Sequence, residues 1–145
     1  MTKADVLELS IHIDARPETV FPYFTDPDRY VRWMGARANL DPVPGGTYHV
    51  AMGNGVEASG EFIEIDPPRR VVFSWGWNHD RAVPPGSTRV VVTLEPDDGG
   101  TRVTLRHYGL PDDDQRGHHG QGWHLYLDRL QVVVSGRDPG PDPNA

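Results

Sequence analysis

From Pro111 to Ser135 the chain reads as one long amphipathic helix, placed after a succession of strand-like segments. At 100° per residue, His119, Trp123, Tyr126, Leu127, Leu130, Val133 and Val134 fall within about a third of its circumference. Gly117, Gln121, Asp128 and Ser135 point the other way. A stripe of that width, aromatic and partly polar, must lie against another surface. What precedes it alternates like a curved antiparallel sheet. The pattern therefore predicts a sheet gripping a helix, with room for a ligand between them.

The alternation starts at Leu7, Leu9, Ile11 and Ile13, set against Glu8, Ser10 and His12, a half-buried strand. Pro17 suits the first turn of a helix that carries Val20, Phe21 and Phe24. Pro22 conflicts with a regular continuation, since a helix-interior proline costs about 3 kcal/mol, so this helix is expected to be short or distorted. Asp26-Pro27 ends it, and a second short helix over 28–34 brings Tyr30, Trp33 and Met34. Strands are expected at 37–41, 47–52, 58–65, 71–77, 88–95 and 101–108, with a hairpin turn and nothing more at Gly53-Asn54-Gly55. Val71, Phe73, Trp75 and Trp77 share one face of their strand. Val90, Val92, Leu94, Val103, Leu105 and His107 form the inner face of the last hairpin. Strands joined by tight turns pair antiparallel. The expected fold is α+β, a curved antiparallel sheet of about six to seven strands wrapped around a long C-terminal helix, with two short helices after the first strand. Residues 1–135 are expected to form a single domain. The Pro/Gly/Asp-rich stretch 136–145 is expected to be a disordered tail.

Composition narrows the function. A chain of 145 residues can bury roughly 70% of its unfolded surface without staples. The absence of cysteine excludes disulfides, thiolate metal sites and cysteine nucleophiles, and fits a reducing compartment. Residues 1–14 carry dispersed charges and no apolar run, so no signal peptide is read there. No window approaches the ~18 apolar residues of a membrane span. A cytoplasmic protein without membrane insertion is expected. The net charge of −7 argues against nucleic acid, which needs a basic footprint. The acidic runs Asp97-Asp98 and Asp112-Asp113-Asp114 read as solvated turns and caps.

Several motifs together resemble the START-like superfamily (SRPBCC, helix-grip fold), and within it the domain family named after the activator of the heat-shock-protein-90 ATPase. Near the start these are Ala15-x-Pro17-Glu18-x-Val20-Phe21, Asp26-Pro27 and Trp33. In the middle they are Gly45-Gly46-x-Tyr48, Gly60-x-Phe62-x-Glu64-Ile65 and Pro67-Pro68-Arg69-x-Val71-Val72-Phe73-Ser74-Trp75. His119-x-x-Gly122-Trp123-x-x-x-Leu127-x-x-Leu130 closes the series. The resemblance implies a deep, mostly apolar cavity between sheet and helix that holds a hydrophobic small molecule. Relatives include lipid carriers, hormone receptors and aromatase/cyclases. The name-giving activity belongs to larger co-chaperones with a further N-terminal domain, for which 145 residues leave no room, so the family name is not expected to describe the function.

The residues expected to line such a cavity are Trp33, Tyr48, Phe62, Phe73, Trp75, Trp77, His107, His119, Trp123 and Tyr126. Tryptophan and tyrosine need a partner for their polar end when buried, which suits a pocket with a few polar anchors. His107 and His119, with Tyr126, Tyr48 and Glu64, form a candidate polar cluster for ligand hydrogen bonding or acid/base work. No metal-ligand spacing is present: His118 and His119 are adjacent and diverge by about 100° on a helix. No nucleophile elbow, phosphate loop or dinucleotide fingerprint appears. No catalytic residue, cofactor or metal is therefore assigned. Gly117, Gly120 and Gly122 weaken the helix by about 1 kcal/mol each relative to alanine. Gly122 borders the stripe, where it permits close packing; the other two face outward, and the helix can bend or fray there to admit a ligand. The expected partner is a small hydrophobic or aromatic molecule, with free sheet edges leaving a homodimer open. The alternatives are a cyclase or dehydratase acting on an aromatic or polyketide-like substrate, and a co-chaperone-like interaction module.

Overall fold

A computed structural model describes residues 6–144. Most of residues 1–14, read above as lacking a signal peptide, falls inside this range; residues 1–5 and 145 lie outside it. Seven strands form one antiparallel sheet: β1 (Val6–Ile13), β2 (Arg37–Leu40), β3 (Thr47–Ala51), β4 (Glu57–Asp66), β5 (Arg70–Trp75), β6 (Thr88–Asp97) and β7 (Gly100–Tyr108). The order across the sheet is β1-β7-β6-β5-β4-β3-β2, so the first strand pairs with the last and β1 and β2 are the edges. Between β1 and β2 lie α1 (Pro17–Val20), a 3-10 turn (Phe21–Phe24) and α2 (Pro27–Tyr30). Pro22 has the effect expected of it: the helix tightens into 3-10 geometry. The Asp26 side chain caps α2 by accepting from the Asp28 N–H at 3.0 Å.

The long helix α3 (Asp113–Val134) begins where Asp112 accepts the Gln115 N–H at 2.9 Å, with Asp113 and Asp114 in its first turn, at the positive end of the helix dipole. Its buried residues are His119, Trp123, Tyr126, Leu127, Leu130 and Val133 of the predicted stripe, whose last member Val134 is half-buried, and also Arg129. Gln131 ties the helix to β1 through the His12 carbonyl at 2.6 Å. Among the described residues no helix is long and apolar enough to cross a membrane.

One aromatic cluster fills the space between the short helices and the β3–β5 region. Tyr48 stacks on Phe73 (4.1 Å, 13°) and meets Phe62 and Tyr30 edge-on. The Tyr30 and Tyr48 hydroxyls are bonded to each other, and Trp33 donates its N–H to the Tyr23 carbonyl at 2.9 Å. Burial raises the pKa of both tyrosines, which keeps them neutral.

β4 bends where it crosses β5. The pairing shifts between Phe62 and Glu64, and the Glu61 N–H bonds the Ser74 hydroxyl at 2.9 Å instead of continuing the backbone ladder. Gly60 sits at this crossing, where a Cβ would lie 2.0 Å from the Ser74 carbonyl oxygen. The obstacle is backbone and cannot rotate away. Gly60→Ala is expected to destabilise the fold by about 2–3 kcal/mol, read as a lowered urea midpoint.

Candidate functional site

Between α3 and the open end of the sheet lies a cavity of about 480 Å³. Its walls are apolar and aromatic, with Trp75, Trp77, Trp123, Tyr126, Met34 and Met52. Its rim is polar, with Asn54, His79, Asp80, Gln115, His118 and Asn144. The Asp80 carboxylate accepts from the Ala82 N–H and the Gln115 amide, both at 2.9 Å, and these bonds hold its pKa below the ordinary value. It therefore stays ionised and fastens the loop after β5 to α3.

The two histidines converge at a ring-centroid distance of 5.2 Å. Their hydrogen bonds determine their protonation. An indole N–H only donates. Trp123 therefore donates to His107 Nδ1 at 3.1 Å, and Trp77 donates to His119 Nε2 at 2.9 Å. The opposite nitrogens carry the protons. His107 Nε2–H donates to Thr88 Oγ1 at 2.8 Å, the Thr88 hydroxyl donates to the Trp75 carbonyl at 2.7 Å, and His119 Nδ1–H donates to the Gln115 carbonyl at 2.9 Å. Both rings are neutral with both nitrogens engaged. Desolvation, with a smaller effect from His119, pushes the pKa of His107 down to about 3; burial also lowers that of His119. The pair accepts from the indoles of Trp123 and Trp77, and each ring has both its N–H and its lone pair committed.

Of the ten residues expected to line a cavity, Trp75, Trp77, His119, Trp123 and Tyr126 do so. Trp33, Tyr48, Phe62 and Phe73 are buried in the aromatic core and are not among its lining residues. His107, fully buried, supports the wall through Trp123. Glu64 faces outward and pairs with Arg70 at 3.0 Å, so it is absent from the polar cluster. Among the described residues no group of three or more His, Asp or Glu side chains is placed to hold a metal ion.

Other lining residues were not expected at the cavity. Asn54 belongs to the hairpin read as a turn only, yet it reaches the rim. Met34, expected on the second short helix, and Met52, expected on the strand face of Tyr48 and Val50, lie just beyond α2 and β3 and line the cavity with Val56. The helix glycines exchange roles. Gly120, assigned to the outer face, approaches β1, since an added Cβ would lie 3.3 Å from the Leu7 side chain; Gly122, expected to allow close packing, faces open cavity with nothing within 4 Å.

Residues 136–144 run back alongside α3. Arg129 donates to the Trp33 carbonyl at 3.0 Å, and its Nη1 faces the carbonyls of Pro139, Gly140 and Pro141 at 3.3, 3.1 and 3.2 Å. Asp142 accepts from the Tyr126 hydroxyl at 2.8 Å and the Gly35 N–H at 3.0 Å. A buried guanidinium needs several acceptors, and this stretch supplies three of them. Pro/Gly content carries no trace of that requirement.

A single curved antiparallel sheet closed by a C-terminal helix, with an aromatic cavity between them, defines a helix-grip domain of the START-like class. Residues 14–135 match the family described as activator of Hsp90 ATPase homolog 1-like protein, and the chain belongs to that family. It is 27% identical over 111 residues to the human activator of 90 kDa heat shock protein ATPase homolog 1, covering 76% of this chain and 31% of that protein. The chain thus spans about a third of the length of the curated relatives it matches. An AHSA1-like protein of Rhizobium etli, solved in solution, is 44% identical with a TM-score of 0.76, covering 97% of this chain and 88% of that one. The AHSA1 protein of Silicibacter pomeroyi is 28% identical with a TM-score of 0.75, covering 90% and 97%.

The buried histidines make the domain acid-sensitive. Their folded pKa values lie below the unfolded value of about 6.5, so below that pH the unfolded chain binds more protons. The stabilisation is complete above about pH 6.5 and is lost as pH falls toward about 3 for His107. Exposed His12, raised first by its hydrogen bond to Asp97, opposes this trend. Urea midpoints between pH 7 and 4.5 are expected to fall steeply in the wild type and less steeply in His107→Gln, whose amide can serve Thr88 and Trp123 without titrating; equal slopes would contradict the assignment.

Proposed function

We propose that the domain binds a small hydrophobic or aromatic molecule in the cavity between the sheet and α3. The observation that carries this reading is the cavity itself: about 480 Å³, walled by three indoles, a tyrosine and two methionines beneath a polar rim. That size and lining fit a small-molecule site. Methionine adapts its shape to an occupant and the indoles supply flat apolar surface. Burying about 300 Å² of apolar ligand at ~25 cal/mol/Å² yields roughly 7 kcal/mol, and association entropy removes several, which points to micromolar affinity. The site of action we assign is the cytoplasm, consistent with a chain without cysteines.

The enzymatic alternative draws less support. It requires His107, His119 or Tyr126 to move protons, yet each imidazole has one nitrogen bonded to an indole and the other to Thr88 or the Gln115 carbonyl, and the Tyr126 hydroxyl is bonded to Asp142. The interaction-module reading rests on the names of the relatives. Among the described residues the exposed large hydrophobics are Val43 and Ile63, too little for an apolar docking patch.

Gly122 separates binding from folding. A Cβ there meets nothing within 4 Å and points a larger side chain toward the cavity, while removing a helix-interior glycine favours the helix by about 0.8 kcal/mol. Gly122→Leu is expected to retain or raise the melting temperature and to weaken the neutral probe N-phenyl-1-naphthylamine at least tenfold in a fluorescence titration. Undiminished probe binding in this variant would place the ligand elsewhere.

A further inference from the structure

Asp80, on the rim of the cavity, carries a charge that its structural bonds do not require. Its carboxylate fastens the loop after β5 to α3 by accepting from the Ala82 N–H at one oxygen and the Gln115 amide at the other. An asparagine could form both bonds, its carbonyl accepting from Ala82 and its amide donating to a turned Gln115 side chain. The negative charge is therefore surplus to the fastening. Each carboxylate oxygen keeps a further lone-pair site, and Asp80 is only half-buried, so an occupant at the mouth of the cavity can reach it.

No cation of the protein answers this charge. Among the described residues Asp80 takes part in none of the ion pairs, and no lysine or arginine lines the cavity. Arg81, next in the chain, is exposed and outside the lining. Arg116, beside Gln115 on α3, is committed to Asp113 at 2.7 Å and to the Leu110 carbonyl at 3.1 Å. The start of α3 adds Asp112, Asp113 and Asp114, which offset the positive end of the helix dipole. Asp142, behind Tyr126, is already engaged by the Tyr126 hydroxyl and the Gly35 N–H. In a chain of net charge −7, one unanswered carboxylate at the mouth attracts a cation and repels an anion.

Aromatic surface adjoins the charge. Trp77 is bonded to His119, and Asp80 is bonded to Gln115 four residues earlier on α3. Their points of attachment are thus one helical turn apart, about 6 Å. Trp77 is half-buried and lines the cavity, and an indole attracts a cation through its ring quadrupole. We infer that the molecule bound here is a flat aromatic carrying a protonated amine on a short arm, its ring against the tryptophan wall and its ammonium on Asp80. Asp80 then selects it over a neutral analogue of the same shape. The inference rests on the proposed binding function and adds to it the charge and chemical class of the ligand.

The test compares 1-naphthylmethylamine, protonated at about pH 7.5, with 1-naphthalenemethanol, a neutral counterpart of nearly the same shape, in wild type and Asp80→Asn. Affinities are read by displacement of N-phenyl-1-naphthylamine. The amine-to-alcohol preference is expected to be roughly tenfold greater in wild type than in Asp80→Asn, the effect of one charge-assisted hydrogen bond. The overall charge acts almost alike on both proteins and cancels in this ratio. In ¹⁵N-labelled wild type, the amine is expected to move the amide resonance of Ala82, whose N–H donates to Asp80, and the alcohol to leave it in place; this measurement does not depend on the variant folding. Equal preference in both proteins, or an Ala82 resonance unmoved by the amine, would overturn the assignment while leaving cavity binding intact. If neither probe displaces the dye, or the dye itself does not bind, both the assignment and the proposed function fall.

Discussion

The hydrogen bond from Trp123 to His107 joins the middle of α3 to β7, and the orientation of the surrounding polar groups follows from it. Because an indole can only donate, His107 must receive at Nδ1 and donate from Nε2. Thr88 on β6 must then accept from the ring and pass its own proton to the Trp75 carbonyl on β5. One donor-only side chain thereby orients a relay across a helix and three adjacent strands. Such a relay is strengthened by low dielectric and by alignment of its dipoles. It also requires His107 to stay neutral, which the same burial enforces.

This relay separates two aromatic groups that look alike in the sequence. Trp33, Tyr48, Phe62 and Phe73 pack around the short helices and fill space. Trp77, Trp123 and Tyr126 stand around the cavity, with Trp75 touching both groups through Tyr48 on one side and Trp123 on the other. The histidines lie on the cavity side, yet their role is to satisfy indoles. Two imidazoles 5.2 Å apart near a pocket resemble acid/base equipment until each nitrogen is accounted for. What remains is a shaped and largely apolar space with a polar rim.

The fold was legible because its signals are periodic. Alternation placed the strands, Pro22 marked the distorted helix, and the stripe from His119 to Val133 identified the buried face of α3. The cavity was half legible. Periodicity gives the direction of a side chain relative to its own element, but says nothing about which inward residues meet a partner and which meet empty space. Phe73 and Trp75 share a face of β5, and only Trp75 borders the cavity. Gly120 and Gly122 differ for the same reason: the supposed outer glycine meets Leu7, while the stripe-side glycine opens on the cavity. Lining residues from turns and loops, such as Asn54 and Asp80, have no period and left no signal.

Arg129 shows how one buried charge gathers backbone carbonyls from a neighbouring segment. It lies on the buried side of α3, where a guanidinium without acceptors would be costly. The Trp33 carbonyl takes the Nε–H, and the carbonyls of Pro139, Gly140 and Pro141 surround Nη1. Prolines assist here, because they have no N–H to satisfy and their fixed φ lowers the entropy lost on ordering. Once the backbone is held, Asp142 comes within reach of both Tyr126 and Gly35, and Asn144 joins the cavity lining. The segment thus completes one wall because a charge beneath it requires its carbonyls, and Tyr126, with its hydroxyl committed to that segment, presents its ring to the cavity.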